Sequence, residues 1–437
     1  MIRDPIGFLS KLSREHGDVA ALRLGPQRCV FITHPALIDR VLRDRSFERG
    51  LSTRNALASF LGHGLLSLEG STHLRHRRLM QPAFHRERIR RYVSLMAEET
   101  YALLGGYRSG QVYDMREAMM RLTFSIVSRT LFNADTRADA AAVDVALHEV
   151  ASAALLRSRL SSLLPFDLPY FPSTRAAIVR LQGMVTNIVT ARRREGGDRG
   201  DLLSMLLAAR DEDGSALSDE DVAAEALTIL LAGHDTTANT MSWALYLLTQ
   251  NPALQEALAD EARGVAGDGP IGFEQLGHLT LSERIVQETL RLYPAAWLGD
   301  RVCAEPTELG GFSLPANTAV AFSVYVTQRD PRFFPDPLLF DPDRFLPERA
   351  ASMTPGAYLP FGAGVHICIG NSFALMEGRL ILSALAQRFR FERVDSRPVR
   401  PRPLITLGMA DPFPLRLHAR GSAQTHAEPG IIRSRPG

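Results

Sequence analysis

Apolar and polar positions alternate in two ways along the chain, and the change of period marks its architecture. Val19 to Leu24 and Arg28 to Thr33 alternate on either side of Gly25-Pro26, which predicts a hairpin near the start. From Pro35 to about Arg291 apolar residues recur at three- and four-residue spacings, with short breaks such as GSTH and PFDLPYFPS, and that period predicts a succession of helices. After Pro294 proline-rich loops and strand-like runs such as TAVAFSVYV take over, and one further helix is expected from Ala374 to Phe389. The fold class is therefore mainly α with small β-sheets. No internal repeat or linker divides the chain, so one catalytic domain is expected over 1–420 and a disordered tail, GSAQTHAEPGIIRSRPG, over 421–437.

One helix carries unusual polarity. SDEDVAAEALTILLAGHDTTANTMSWALYLLTQNP opens with Ser218 and Asp221 as a capping box and stays apolar for about thirty residues until Pro252. A helix of that length should cross the middle of the protein. Its centre, Ala232-Gly233-His234-Asp235-Thr236-Thr237, sets a glycine, an acid and two hydroxyls among apolar neighbours, where each is a poor helix former. A local distortion that opens a groove is expected there.

Further along, FGAGVHICIG places Cys368 among Gly362, Gly364 and Gly370 with His366 two residues before it. Three glycines in ten residues mark a loop that bends sharply or admits something large. The helix after this loop sets backbone N–H groups near the sulfur, which favours a thiolate, and no base partner for a nucleophile is evident, so metal ligation is the stronger reading. Composition agrees with an intracellular site. Cys29, Cys303 and Cys368 are an odd set without a CxxC pair, which opposes a disulfide framework or zinc ribbon and suits a reducing cytosol. No apolar run is long enough for a signal peptide or membrane span, so a soluble, cytoplasmic protein is expected. The formal net charge of +2 predicts no general attraction to nucleic acid.

The decapeptide resembles the cysteine-ligand loop of the cytochrome P450 superfamily: Phe361, Gly364, His366, Cys368 and Gly370 occupy its places, with His366 where arginine is commonest. Glu288-Thr-Leu-Arg291 and, in PDRF, Arg344 resemble the family's buried Glu-Arg-Arg triad, a structural lock for the side that carries Cys368. Asp235 and Thr236 resemble its proton-delivering acid and alcohol pair, with Ala232 and Gly233 leaving room for oxygen. The resemblance implies a single triangular-prism domain with a long central helix over heme b. It makes Cys368 the iron ligand and His73, Arg77, Arg301 and His366 the partners of the heme propionates. Ala232, Ala296 and Leu298 become the substrate-facing positions.

The activity so implied is that of a heme-thiolate monooxygenase of the soluble bacterial type, inserting one atom of O2 into a C–H bond of a hydrophobic small molecule. The chain resembles members without a membrane anchor or flavin domain. Electrons are thus expected from NAD(P)H through a separate donor, either ferredoxin with ferredoxin reductase or a flavodoxin-type protein. The donor would dock on a basic proximal face where Arg75, Arg77, Arg78, Arg86, Arg88, Arg90 and Arg91 meet Glu87 as the only acid. Rival readings are a peroxide-using or non-oxidative heme-thiolate enzyme and a heme sensor; relatives of that kind usually replace the acid and alcohol, which are intact here. ETLRLYPAAWLGDR followed by YVTQRDP resembles the carotenoid and fatty-acid hydroxylase branch. Carotenoid ring hydroxylation is the first expectation, with a long-chain fatty acid or a terpenoid as alternatives. Leu51 to Leu68 and Ala151 to Pro172 should form the mouth and lid, where Leu163, Leu164, Phe166, Leu168, Tyr170 and Phe171 offer apolar walls.

Overall fold

The apolar run after Ser218 forms one helix, Asp219–Thr249, in a computed structural model that describes residues 4–24, 27–84, 86–134, 142–143, 145–146, 149–150, 152–154, 170–211 and 214–421. Ser218 caps it by accepting the Asp221 N–H at 3.0 Å, and Asp219, Glu220 and Asp221 place negative charge on its first turn. At the standard rise it is about 46 Å long. It is buried around most of its circumference and packs on helices Met115–Phe132, Pro172–Glu195, Thr280–Leu292 and Asn371–Arg388, as an all-round apolar helix must.

The distortion expected at its centre does not form. Residues 232–237 stay α-helical because their hydroxyls are satisfied on the helix itself: Thr236 Oγ1 donates to the Ala232 carbonyl at 2.6 Å, and Thr240 Oγ1 to that of Thr236 at 2.8 Å. Gly233 has a packing role that the sequence did not suggest. A β-carbon there would stand 3.1 Å from Val127 Cγ2, so the glycine admits close approach of helix Met115–Phe132.

The strands are β1 (Val19–Leu24), β2 (Gln27–Ile32), β3 (Phe47–Glu48), β4 (Val112–Asp114), β5 (Gly299–Cys303), β6 (Thr307–Leu309), β7 (Phe312–Leu314), β8 (Ala319–Phe322), β9 (Phe389–Arg393), β10 (Pro401–Pro403), β11 (Leu407–Met409) and β12 (Pro414–Ala419). Five of them form a sheet in the order β1-β2-β8-β5-β3, in which the expected β1-β2 hairpin is antiparallel and β2 pairs with β8 in parallel. β4-β12-β9 make an antiparallel sheet, and β6-β7 and β10-β11 are hairpins. The strand-like run TAVAFSVYV divides: β8 ends at Phe322, and Ser323 caps a helical turn, Val324–Thr327, by accepting the Val326 N–H. The last helix begins three residues before the expected Ala374, at Asn371, and ends at Arg388. Among the described residues no helix is long and apolar enough to cross a membrane. The expected tail, apart from Gly421, lies outside the described residues.

Glu288, Arg291 and Arg344 meet in the core. Arg291 grips both Glu288 oxygens, Nε at 2.6 Å and Nη2 at 2.8 Å, and spends its remaining N–H groups on the carbonyls of Gln328, Pro337 and Leu339. Arg344 is not bidentate, as a symmetrical triad would require; its Nε lies 3.4 Å from Glu288 Oε1, while its Nη2 donates to Asp336 O at 2.8 Å. The Asp341 N–H completes the carboxylate's shell at 3.0 Å. Removing the acid leaves two guanidiniums buried without compensation. Glu288→Ala is therefore expected to lower the unfolding free energy by about 3–5 kcal/mol, read as a shift of the denaturant midpoint. A loss below about 1 kcal/mol, the scale of a surface pair, would remove the triad from this role.

Candidate functional site

The cysteine loop is shaped by backbone positions that exclude side chains. Cys368 N–H donates to Phe361 O at 3.0 Å and closes the loop on itself. Gly364 has φ +68°, and a β-carbon there would stand 2.2 Å from Leu42 O, so both conformation and space demand glycine. Gly370 has an ordinary φ of −95° and contributes differently: its N–H bonds the Cys368 thiol just before helix Asn371–Arg388 begins.

Burial pushes the Cys368 thiol up, against the smaller downward pulls of the Gly370 N–H and the Arg77 guanidinium. The backbone N–H thus acts in the expected direction, but it does not by itself yield a thiolate. A stronger positive charge is needed, as a coordinated metal supplies. Among the described residues no three His, Cys, Asp or Glu side chains gather into a metal cage. One cysteine donor in such a place suits a metal that carries its other ligands with it.

Cys368 lines a cavity of about 490 Å³, together with Ala232, Asp235 and Thr236 of the central helix and Ala296 and Leu298 before β5. All the substrate-facing positions expected from sequence therefore share one space with the cysteine. Gly299 serves the same wall: a β-carbon there would lie 2.4 Å from Phe322 Cζ, so its absence lets that cavity-lining ring pack across β5 and β8. The mouth segment contributes Leu57, Phe60, Leu61, Leu65 and Leu66. Of the lid, Tyr170 is described and its hydroxyl meets Ser59 Oγ at 2.7 Å, while Phe171 is exposed; Leu163, Leu164, Phe166 and Leu168 lie outside the described residues.

A second side of the cavity is cationic. His73, Arg77, Arg301 and His366 all reach it, and so does Arg49, which sequence reasoning missed. The rings of His73 and His366 lie 4.3 Å apart, and His366 Nε2 is 3.1 Å from Glu69 Oε2. Burial, with the charges of His366 and Arg49, pushes His73 down to about 3, and burial pushes Arg49 down to about 10. Burial also lowers Arg301 and His366. Glu69 would be raised by burial, but the His366 hydrogen bond and the His366 and Arg49 charges outweigh this and hold it at about 2. One acid therefore faces two buried guanidiniums and two imidazoles. Both ring nitrogens of His73 lack a hydrogen-bond partner although its side chain is 1 % exposed. An unpartnered imidazole N–H beside buried guanidiniums fits the carboxylates of a bound anion, and with the lone thiol the set fits a porphyrin that brings a metal. Arg77 has a further task, since its Nη1 donates to Ile367 O at 2.6 Å and steadies the cysteine loop.

Three other features were not legible from sequence. The Asp235 carboxylate accepts from the Thr406 hydroxyl, which comes from the turn between β10 and β11. Glu377, on the helix behind the cysteine, is wholly buried, and burial holds its carboxyl well above the usual range with only partial relief from Thr237. The basic face is also less basic than the sequence suggests. Arg75 and Arg78 share Asp211, Arg90 meets Glu274, and Arg91 donates to Arg199 O; the Arg86 side chain lies outside the described residues.

Comparison with known proteins covers nearly the whole chain. The family model "Cytochrome P450" matches residues 3–412. Cyclooctatin synthase of Streptomyces melanosporofaciens is 38% identical over 93% of this chain and 90% of its own length. Cyclooctat-9-en-7-ol 5-monooxygenase of the same organism is 37% identical over 90% and 86%. Pentalenene oxygenase of Streptomyces avermitilis is 34% identical over 97% and 95%. Among solved structures, the cytochrome P450DA heme domain superposes with a TM-score of 0.87 at 25% identity, over 96% of this chain and 93% of that one.

The cationic wall generates a direct test of Arg49. A charge-assisted hydrogen bond contributes about 1.5–3 kcal/mol, so Arg49→Leu is expected to speed heme loss to apomyoglobin roughly tenfold to a hundredfold. Heme loss at the native rate from a folded variant would exclude Arg49 from the cradle.

Proposed function

The chain belongs to the cytochrome P450 family and is a monooxygenase, and we propose that its substrate is a compact, polycyclic terpenoid. The observation that carries this reading is the cavity itself. Its mouth segment contributes Leu57, Phe60, Leu61, Leu65 and Leu66, an apolar wall that favours a hydrocarbon over a polar substrate. Apolar walls bind by buried area, and a rigid ring system loses little freedom on binding. Relatives whose names carry cyclooctatin, cyclooctat-9-en-7-ol and pentalenene support the same class. Carotenoid ring hydroxylation and fatty-acid hydroxylation are retained as the competing outcomes of the test.

Cys368, with Arg49, His73, Arg77, Arg301 and His366 towards its carboxylates, would hold heme b, which would supply the oxygen chemistry. The chain's own task is to place the substrate, exclude water and move protons. Leu57, Phe60 and Ala296 confine the hydrocarbon. Asp235 carries protons inward along its contact with Thr406, and Thr236 passes them on. The Thr236 hydroxyl rests on the Ala232 carbonyl, so it serves as a donor towards the cavity only after rotating off that acceptor.

Electrons come from NAD(P)H through a separate ferredoxin-type or flavodoxin-type protein in the cytoplasm. The docking face surrounds the cysteine loop, where Leu74, Val365 and Ile367 are exposed and Arg77 donates to Ile367 O. Three free cysteines are in keeping with a reducing compartment.

A panel of pentalenene, cyclooctat-9-en-7-ol, β-carotene and palmitic acid, titrated while the heme spectrum is followed and then turned over with a surrogate ferredoxin system, tests the reading. A spin-state shift and hydroxylated product are expected with the two terpenoids. A shift and product only with β-carotene or palmitic acid would overturn the terpenoid assignment.

A further inference from the structure

The β10-β11 hairpin is fastened to the core with unusual care. The chain has two tryptophans, and both donate their indole N–H to this one hairpin: Trp297 Nε1 to Leu404 O at 3.0 Å and Trp243 Nε1 to Leu407 O at 2.9 Å. The Leu407 N–H in turn donates to Ala295 O at 3.0 Å. Gly408 lies so close to the central helix that a β-carbon would stand 2.7 Å from Asn239 Oδ1. Trp243 is itself wedged against Tyr293, ring centroids 3.9 Å apart and nearly parallel. A turn held from three directions is a rigid mount.

What the mount presents is one hydroxyl. Thr406 Oγ1 accepts from Asn239 Nδ2 at 3.2 Å and bonds Asp235 Oδ2. The amide can only donate from nitrogen and the hydroxyl has one proton, so the chain has a single polarity: Asn239 N–H to Thr406 O, and Thr406 O–H to the Asp235 carboxylate. Asp235 and Asn239 lie one turn apart on the central helix, and Thr406 bridges them from outside it. Leu404 and Ile405, the other residues of the turn, line the cavity. The hydroxyl therefore stands between the substrate wall and the acid that brings protons in.

We propose that Thr406 is a positioning residue for proton delivery, orienting the Asp235 carboxylate through a hydroxyl held rigid by the β10-β11 hairpin. The inference rests on the proposed role of Asp235, and its test separates the two. Replacing the hydroxyl by a methyl in Thr406→Val keeps shape and volume but leaves the carboxylate unanchored. Thr406→Ser keeps the donor.

The experiment uses the heme-loaded enzyme with cyclooctat-9-en-7-ol, a surrogate ferredoxin and its reductase, and measures product and hydrogen peroxide per NADPH consumed. Misplacing a proton donor by about 1 Å costs up to a hundredfold, and partial loss of orientation should cost roughly threefold to tenfold in product per NADPH for Thr406→Val. Thr406→Ser should restore more than half of the native yield. In the Asp235→Asn background Thr406→Val should change nothing further, because the group it positions is gone. Amide hydrogen exchange across 401–409 gives a readout apart from turnover, and it should stay native in Thr406→Val because the tryptophan clamps remain. Native product yield in Thr406→Val, while Asp235→Asn is uncoupled, would overturn this inference alone. Native yield in Asp235→Asn would overturn the role of Asp235 and with it this inference. Faster exchange throughout 401–409, or additive losses in the double variant, would make Thr406 a structural residue and overturn the proposal.

Discussion

The Cys368 thiol opens onto the cavity yet has enough protein around it to resist ionisation, and the site is organised around that resistance. Cys368 is crowded enough that burial outweighs the Gly370 N–H and the Arg77 charge. Its surroundings therefore favour the thiol over the thiolate. A strong cation held against the sulfur would reverse the balance, and the proposed heme would bring one. Arg49, Arg301, His73 and His366 line the same cavity, and Gly364 lets the loop backbone close on Leu42.

That arrangement depends on a stiff frame. Arg291 ties Glu288 to three carbonyls of the Gln328 to Leu339 stretch, and Asp341 adds its N–H, so the segment leading to the cysteine loop is anchored to a core helix before the loop begins. On the other side of the cavity the central helix keeps its polar residues without breaking. Thr236 and Thr240 return their hydroxyls to the helix backbone, and Asp235 finds a partner outside it in Thr406. Between these sides stands the mouth, helix Leu51–Leu61 and the residues on to Leu68, where the Leu65 N–H is held by the buried Glu225 carboxylate at 3.0 Å.

Local signals in the sequence were readable where one residue type has one physical use. Gly364 marked a sharply bent loop, found at φ +68°, Ser218 marked a helix start, and the alternation around Gly25-Pro26 marked a hairpin. The triad was legible from Glu288 and Arg291 only through resemblance, because an i,i+3 pair looks the same on a solvated surface. Contacts between distant residues were beyond reach. Arg49 resembles any other arginine in a chain with many, and Thr406 any other threonine in a turn; each acquires its role from a fold that brings it beside residues far away in sequence. The central helix shows the converse error. Poor helix formers suggested a distortion, but propensity is a weak prior where tertiary packing on all sides holds the backbone and hydroxyls can bond one turn back. In the arginine-rich stretch Asp211, more than a hundred residues on, is shared by Arg75 and Arg78 and offsets one of their two charges.

The central claim is that Cys368 becomes a thiolate by binding a metal that a porphyrin carries. Iron X-ray absorption on the purified, heme-loaded protein tests it most directly. The account predicts one sulfur scatterer in the iron's first shell, lost in Cys368→Ala. A first shell of nitrogen and oxygen alone in the native protein, or a sulfur that survives Cys368→Ala, would contradict it.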